Sequence, residues 1–384
     1  MPKTLVNIIT EDNPIPAYLF IKEMYMEGDR LMYISAKDDA NDLMNLSSLF
    51  NVPANMIDEI VLKNEMDEIT YEKICQTVLK NINKDTCYWV NLAGGTRYMA
   101  LAVEEVFNDF DSTFFYVQTE NNLIVQSIFN DSIDDKDDLF YPIGHRMSIA
   151  EYLNIHYIEH DLDQPTHQPI RSKEEATQLF NMFAKLGQKN LRGQDYKVLE
   201  MLREKYRGRN KVNLKELAAK VPGLYDFLYR IEFVSEDKDA LNKRELDYLT
   251  GGWFEEYVYY LVEEYIHPQD LAINVVIARK GVDHINELDV VFTKGNKLFV
   301  IECKTGVQTE RLFNEIVYKL CAIREALLGV SCFSYIFSLK MDVKNDFKRI
   351  ADNMDICFID YDTLINPDKL RMAIMKMDLE AKDR

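Results

Sequence analysis

Over its first 130 residues the chain alternates short apolar runs with amphipathic segments, and this restricts the fold more than any other feature. Thr4–Ile9, Leu31–Ala36, Glu59–Leu62, Cys87–Leu92 and Ser112–Gln118 read as strands. Ile15–Glu27, Asp38–Phe50, Thr70–Ile82 and Arg97–Phe110 read as the helices between them. Repeated β-α units predict a parallel α/β sheet that receives ligands at the carboxyl ends of its strands. Leu123–Phe129 is expected to return antiparallel through Glu120-Asn121-Asn122.

The sharpest feature of this half is Asn91-Leu92-Ala93-Gly94-Gly95-Thr96-Arg97, set between a buried strand and a helix. Two glycines let a backbone approach a ligand, Thr96 offers a hydroxyl, and the helix that follows presents free N–H groups to an anion. The segment matches neither GxGxxG nor GxxxxGK[ST], so dinucleotide and ATP readings lose their usual support, as does a nucleotide-dependent oxidoreductase. A tight turn capped by Thr96, with no ligand, is the plainer reading.

The last third carries the chemistry. Leu288–Thr293 and Lys297–Lys304 read as strands joined by Gly295-Asn296, a two-residue hairpin turn. With Lys294 opposite Lys297, Asp289 falls directly opposite Glu302. Glu302 and Lys304 then share one face, while Phe299, Ile301 and Cys303 share the other. Opposed like charges repel unless a cation lies between them. Mg²⁺ or Mn²⁺ takes such oxygen ligands and promotes phosphoryl chemistry, in which Lys304 would hold the phosphate or orient water. Gly251-Gly252 punctuates the chain ahead of a helix, Trp253–Tyr265, on which Glu255 shares a stripe with Val258, Tyr259 and Val262. Glu255 is thus expected to lean inward toward the same ion and Glu256 to be solvated. Taken alone, Glu255 also fits an ordinary acidic residue of a first helical turn.

Composition sets limits on partners. The formal charge of −19 disfavours nucleic acid over most of the surface, but Arg171–Lys215 holds 12 Lys and Arg against 5 Asp and Glu. Its densest part, Lys205–Lys211, is a candidate phosphate contact or a solvated basic face. Asp131–Asp138 reads as a solvated acidic loop. No apolar run is long enough to span a membrane, and the start lacks a signal-peptide core. Six dispersed cysteines without a CxxC pair suggest reduced thiols in a cytoplasm. His156-Tyr157-Ile158-Glu159-His160 matches HxxEH, but a zinc site needs both histidines on one helix, and chance explains so short a pattern better.

A helix glutamate, Asp289 and Glu302-x-Lys304 together resemble the restriction-endonuclease-like nucleases with the PD-(D/E)xK motif, with Leu288 in place of the proline. The resemblance implies catalysis by Glu255, Asp289, Glu302 and Lys304, with Asp289, Glu302 and Glu255 as metal ligands. It also points to Lys319 as an assisting lysine on the next helix, although Lys319 equally fits a surface position. The Asn91–Arg97 segment and the β-α order resemble the CARF domain, the CRISPR-associated Rossmann fold that senses cyclic oligoadenylates. The pair resembles the ancillary nucleases of type III CRISPR antiviral defence.

That resemblance implies an α/β chain in three parts: a Rossmann-like CARF domain over 1–150, a helical, basic connector over 151–245, and a restriction-endonuclease-like domain over 246–384. Val212–Leu224 followed by Leu228-Tyr229 suggests a winged-helix-like unit within the connector. Asn91, Gly94, Gly95, Thr96 and Arg97 would bind the ligand, and Asn13 and Ser35/Lys37 would complete each half-site. A symmetric cyclic ligand, cyclic tetra-adenylate by resemblance, implies a homodimer about a two-fold axis. The substrate implied is single-stranded DNA or RNA, and no residue decides between them. The competing function is a non-catalytic, ligand-sensing regulator that binds nucleic acid.

Overall fold

The computed structural model describes the chain except residues 1, 11–12, 36–48, 63–69, 128–138, 165–166, 187–201, 203–205, 207–208, scattered positions between 221 and 237, 280–284, 306–309, 325–331, 340–344 and 384. Its first sheet has seven strands: β1 (Thr4–Ile9), β2 (Arg30–Ser35), β3 (Ile57–Val61), β4 (Tyr88–Asn91), β5 (Ser112–Gln118), β6 (Leu123–Ser127) and β7 (Phe140–Pro142). Their order is β3-β2-β1-β4-β5-β6-β7, parallel through β5 and antiparallel beyond it. The chain steps outward from β1 to β3 and then returns to β4 on the other side of β1. A crevice therefore opens at the carboxyl ends of β1 and β4.

Helices Tyr71–Leu79 and Arg97–Phe107 cover one face, where Val6, Ile8, Val90 and Val103 form a core. Thr70 and Thr96 cap them, their hydroxyls accepting from Lys73 N–H and Met99 N–H. Helix Ile15–Met24 starts at prolines that suit a first turn and packs on the other face. The expected helix Asp38–Phe50 lies almost wholly outside the described residues.

Among the described residues the second sheet has six strands: β8 (Ile158–His160), β11 (Asp270–Arg279), β12 (Ile285–Lys294), β13 (Lys297–Lys304), β14 (Cys332–Ser338) and β15 (Ile356–Ile359), while β9 (Lys211–Asn213) and β10 (Ala240–Asn242) form a separate ribbon. The order of the six is β15-β14-β13-β12-β11-β8. Within the 151–245 stretch, expected to be a helical, basic connector with a winged-helix-like unit, the described residues include strands as well as helices. Its β8 is an edge strand of the second sheet, paired with β11, and β9 pairs with β10. Leu202, Leu217, Leu228 and Leu241 also join the core under helix Trp253–Ile266.

Gly251-Gly252 does not break the chain either. Helix Lys243–Asp247, a π-helical turn at Tyr248–Gly252 and helix Trp253–Ile266 run on continuously. Among the described residues no helix is long and apolar enough to cross a membrane.

Candidate active site

Both residues of the β12–β13 turn, Gly295 and Asn296, have positive φ (58° and 61°), the conformation of a two-residue hairpin turn of the twisted-strand type. Pairing begins at Lys294↔Lys297, as the turn predicts, and stops at Val290↔Ile301. Asp289 and Glu302 come one step later, where the strands part. There β13 continues against β14, through Glu302↔Ile336 and Lys304↔Ser338, while β12 stays with β11. The two carboxylates thus flank a fork and are not partners across a ladder, as the turn register had suggested. Asp289 Oδ2 accepts the Cys303 N–H at 2.7 Å, so a side chain takes the bond that a backbone carbonyl would have accepted.

A second departure from regular strand geometry aims Asp289. Residues two apart normally share a face. Leu288 and Val275, however, join the core that holds Leu298 and Val300, whereas Val290 and Ile273 join the core that holds Phe299 and Val258. Both strands change faces at the unbridged Asn274–Asp289 position, where Asn274 has φ 55°. Asp289 therefore stands between the layer of helix Trp253–Ile266 and the layer of helix Glu310–Ile323. Periodicity alone does not reveal this; an Asn within an otherwise apolar strand is the one hint.

Lys304 Nζ lies 2.6 Å from Glu302 Oε1 and 3.3 Å from Asp289 Oδ2. Lys319 Nζ reaches Glu302 Oε2 at 3.2 Å and the Glu287 carbonyl at 3.2 Å. Burial works to raise the Glu302 carboxyl, which is 3% exposed, but Lys304 and Lys319 overcome it and hold it below the usual range. Asp289 is pushed up to about 6, by burial first and by the Glu302 charge second. Burial opposes the Lys304 charge, yet Asp289 and Glu302 raise its pKa above the ordinary lysine value. Burial and then the Asp289 charge drive Glu255 well above its normal range. Three carboxylates thus converge on a single electrostatic site, with Lys319 beside them.

Glu256 departs from expectation. It is 1% exposed, not solvated, and accepts the Ile170 N–H beside Arg171 and Tyr248. The Trp253–Ile266 helix is covered on nearly every side, so a wheel built on one apolar stripe misassigns it. Thr305, whose hydroxyl reaches the Thr250 carbonyl at 3.3 Å, ties the end of β13 to the π-helical turn before Glu255. Nothing in the local sequence pattern marks that contact.

Hard oxygen ligands crowded enough to disturb one another's protonation fit a divalent cation. Among the described residues, no three His, Cys, Asp or Glu side chains already stand at ligand spacing. The Lys304 ammonium takes the place between Asp289 and Glu302, supplying positive charge where the carboxylates face each other.

At the crevice of the first sheet, Asn91 is fully buried. Its amide donates to Asn7 Oδ1 and the Pro16 carbonyl and accepts the Ala93 N–H, which shapes the loop from beneath. A Cβ on Gly94 would lie 2.7 Å from the Ile8 carbonyl oxygen, and one on Gly95 would lie 2.3 Å from Ile8 Cγ2. Both glycines are therefore demanded by β1 itself. Thr10, absent from the sequence reading, donates its hydroxyl to the Gly94 carbonyl at 2.7 Å. Thr96 and Arg97 are exposed at the rim, Asn13 is half-buried on the β1 loop and Ser35 is buried at the end of β2. Lys37 lies outside the described residues.

His156 closes helix Ile149–Ile155 with its ring buried and pulled down to about 4, and His160 sits in β8 beyond a turn. The pair lacks the shared helix face that a zinc site needs. Of the Lys205–Lys211 stretch, Arg209 stacks 5.2 Å over the Tyr206 ring and Lys211 is exposed; Lys205, Arg207 and Gly208 fall outside the described residues.

A family model of the Card1 CARF domain matches residues 4–152, and one described as Card1-like, endonuclease domain, matches residues 242–373. Among solved structures, protein VC1899 from Vibrio cholerae is similar, with TM-score 0.73 and 20% identity, over 100% of this chain and 99% of that one. Can2 from Sulfobacillus thermosulfidooxidans, solved in complex with cyclic tetra-adenylate, has TM-score 0.69 and 21% identity, over 97% of this chain and 98% of that one. These likenesses carry the fold. No curated protein matches the chain. With a crevice-bearing sheet under one model and the carboxylate fork under the other, the chain belongs to the CARF-domain nucleases, a Card1 CARF domain joined to a Card1-like endonuclease domain.

Proposed function

We propose that this protein is a metal-dependent nuclease of single-stranded DNA or RNA, switched on by a cyclic oligoadenylate, of which the tetra-adenylate is the first candidate, in type III CRISPR antiviral defence. The observation that carries this reading is the Asp289–Glu302–Lys304 cluster at a strand fork, beside Glu255, in a chain whose other sheet opens a ligand crevice. Asp289, Glu302 and Glu255 would hold Mn²⁺ or Mg²⁺. When bound, the ion supplies a Lewis acid that polarises the phosphate and acidifies water. Lys304 keeps its positive charge beside the carboxylates and is suited to hold a phosphate oxygen. Glu255, beside Asp289 at the fork, is placed to support the ion or its bound water. Lys319 keeps Glu302 ionised. Cleavage exchanges the bond from phosphorus to the leaving oxygen for one to the water oxygen, and the leaving oxygen gains a proton.

On the sensing side, Thr96 and Arg97 on the rim and the backbone of Gly94 and Gly95 would contact the ligand, with Asn13 and Ser35/Lys37 on neighbouring loops. A cyclic ligand on a two-fold axis would join two copies through their CARF domains. The ligand activates only to the extent that it binds better to the state with an assembled nuclease site. The test is cleavage of labelled single-stranded DNA and RNA with Mn²⁺, with and without cyclic tetra-adenylate, for the parent and for Asp289→Ala and Glu302→Ala. Metal-dependent cleavage that survives either substitution overturns the site. Cleavage indifferent to every oligoadenylate overturns the activation while sparing the nuclease.

A further inference from the structure

The β12–β13 hairpin has two ends. Glu302, Lys304 and Asp289 lie at one, and Asn296 lies at the other, six residues from Glu302, or about 20 Å along an extended strand. Asn296 is 1% exposed although it occupies a hairpin turn, a position that normally faces water. Among the described residues, its side-chain hydrogen bonds cross to the other half of the chain. Its Oδ1 accepts the Met147 N–H at 2.8 Å, and its Nδ2 donates to Asn122 Oδ1 at 2.8 Å and to the His145 carbonyl at 3.1 Å. Asn122 is itself in the β5–β6 turn with φ 51°, and its carbonyl accepts the Ile143 N–H. Two turns, one from each sheet, therefore meet through a pair of asparagine amides with residues 143–147 between them.

Both elements that carry the carboxylates are anchored at this junction. Lys294, beside the turn, donates to the Ile266 and His267 carbonyls at the far end of the Glu255 helix. That helix, like the hairpin, is about 20 Å long. On the other side, helix Ile15–Met24 meets the crevice where its Pro16 carbonyl accepts the Asn91 amide. Its Tyr18 hydroxyl donates to Glu151 at 2.7 Å, and its Glu23 accepts the His145 N–H at 2.6 Å. An unbroken series of packed, hydrogen-bonded elements thus runs from the crevice to the carboxylate fork.

We infer that Asn296 is a coupling residue outside the nuclease site: the Asn122–Asn296 clasp transmits ligand-driven movement of the CARF domain to the hairpin whose far end bears Asp289, Glu302 and Lys304. The inference rests on the ligand-activated nuclease reading above. Contiguity alone does not establish coupling, so the experiment measures the coupling itself. Asn296→Gly keeps the positive φ of the turn and removes all three bonds. Asn122→Gly does the same from the other side, whereas Asn122→Asp keeps the acceptor and tolerates the same backbone. For each full-length variant, the melting temperature, cyclic tetra-adenylate affinity by calorimetry, activator-free Mn²⁺-dependent cleavage at high enzyme concentration, and activator-stimulated cleavage are measured. Asn296→Gly and Asn122→Gly are expected to stay folded, to bind the activator as the parent does and to keep activator-free cleavage. Stimulation should fall by a factor of about 5 to 150, the usual span of allosteric couplings, and Asn122→Asp should retain it. Stimulation equal to the parent in Asn296→Gly, loss of activator-free cleavage in the same proportion, or Asn122→Asp behaving as Asn122→Gly would each overturn the inference. A parent protein that no cyclic oligoadenylate stimulates removes the sensing reading and this inference together, an outcome distinct from the others because it appears without any substitution.

Discussion

Replacing Asp289 with Asn should stabilise the metal-free protein at neutral pH while abolishing cleavage. In the folded chain the Asp289 carboxyl titrates at about 6 instead of its ordinary 3.8. The folded state therefore holds this proton more tightly than the unfolded chain does. Between pH 3.8 and 6 the native state binds more protons, so stability falls as pH rises through that window and levels off above it. At about 1.4 kcal/mol per pH unit, the ionised carboxylate costs the folded state roughly 3 kcal/mol above pH 6. Asn has no charge to desolvate and can still accept the Cys303 N–H. The assay is thermal or urea unfolding of both proteins in EDTA from pH 4 to pH 8. The variant should gain on the parent through the window and stay ahead by about 2–3 kcal/mol at pH 7.5, worth several degrees of melting temperature. Adding Mn²⁺ should raise the parent and leave Asp289→Asn unmoved. A gap equal at pH 4.5 and 7.5, or a parent more stable than the variant in EDTA at pH 7.5, would refute this electrostatic account of the fork.

Glu255→Gln should lower cleavage by about 100-fold or more, whereas Glu256→Gln, whose carboxyl accepts from Ile170, should leave it near the parent level; equal losses in steady-state assays would contradict the assignment. Lys319→Met removes one of two ammonium groups holding Glu302 ionised, so the acid limb of the pH–rate profile should move to higher pH, with a loss of about 10-fold or more at pH 6. Gly94→Ala places a Cβ 2.7 Å from the Ile8 carbonyl at φ +102°, a backbone strain of about 1–3 kcal/mol. Its melting temperature and cyclic tetra-adenylate affinity should both drop, while activator-free cleavage remains.

The site was legible to the extent that local periodicity encodes it. The turn residues Gly295-Asn296 put Lys294 against Lys297, and that register brings Asp289 and Glu302 to the same level. The parity of β13 separates Lys304 from Cys303, and the βα punctuation at Gly94-Gly95 marks the crevice. A wheel scores one apolar face and so places Glu256 in solvent, while this helix is enclosed by residues 168–171 as well as by the sheet. The three residues of β8 carry too little pattern to declare an edge strand.

Local pattern encodes the layout: parallel β-α units followed by a hairpin, and the residue types able to hold a cation. Such features arise from neighbours a few positions apart, whose preferences act before any long-range contact forms. Tertiary structure alone decided how those residues meet. It ended the β12–β13 ladder one step short of Asp289, changed the strand faces at Asn274, brought Lys319 onto Glu302, and buried Asn296 against Asn122. These features join residues from 13 (Asp289 and Glu302) to 174 (Asn122 and Asn296) positions apart. A contact across that distance depends on how whole elements pack, and no local period in the chain records it.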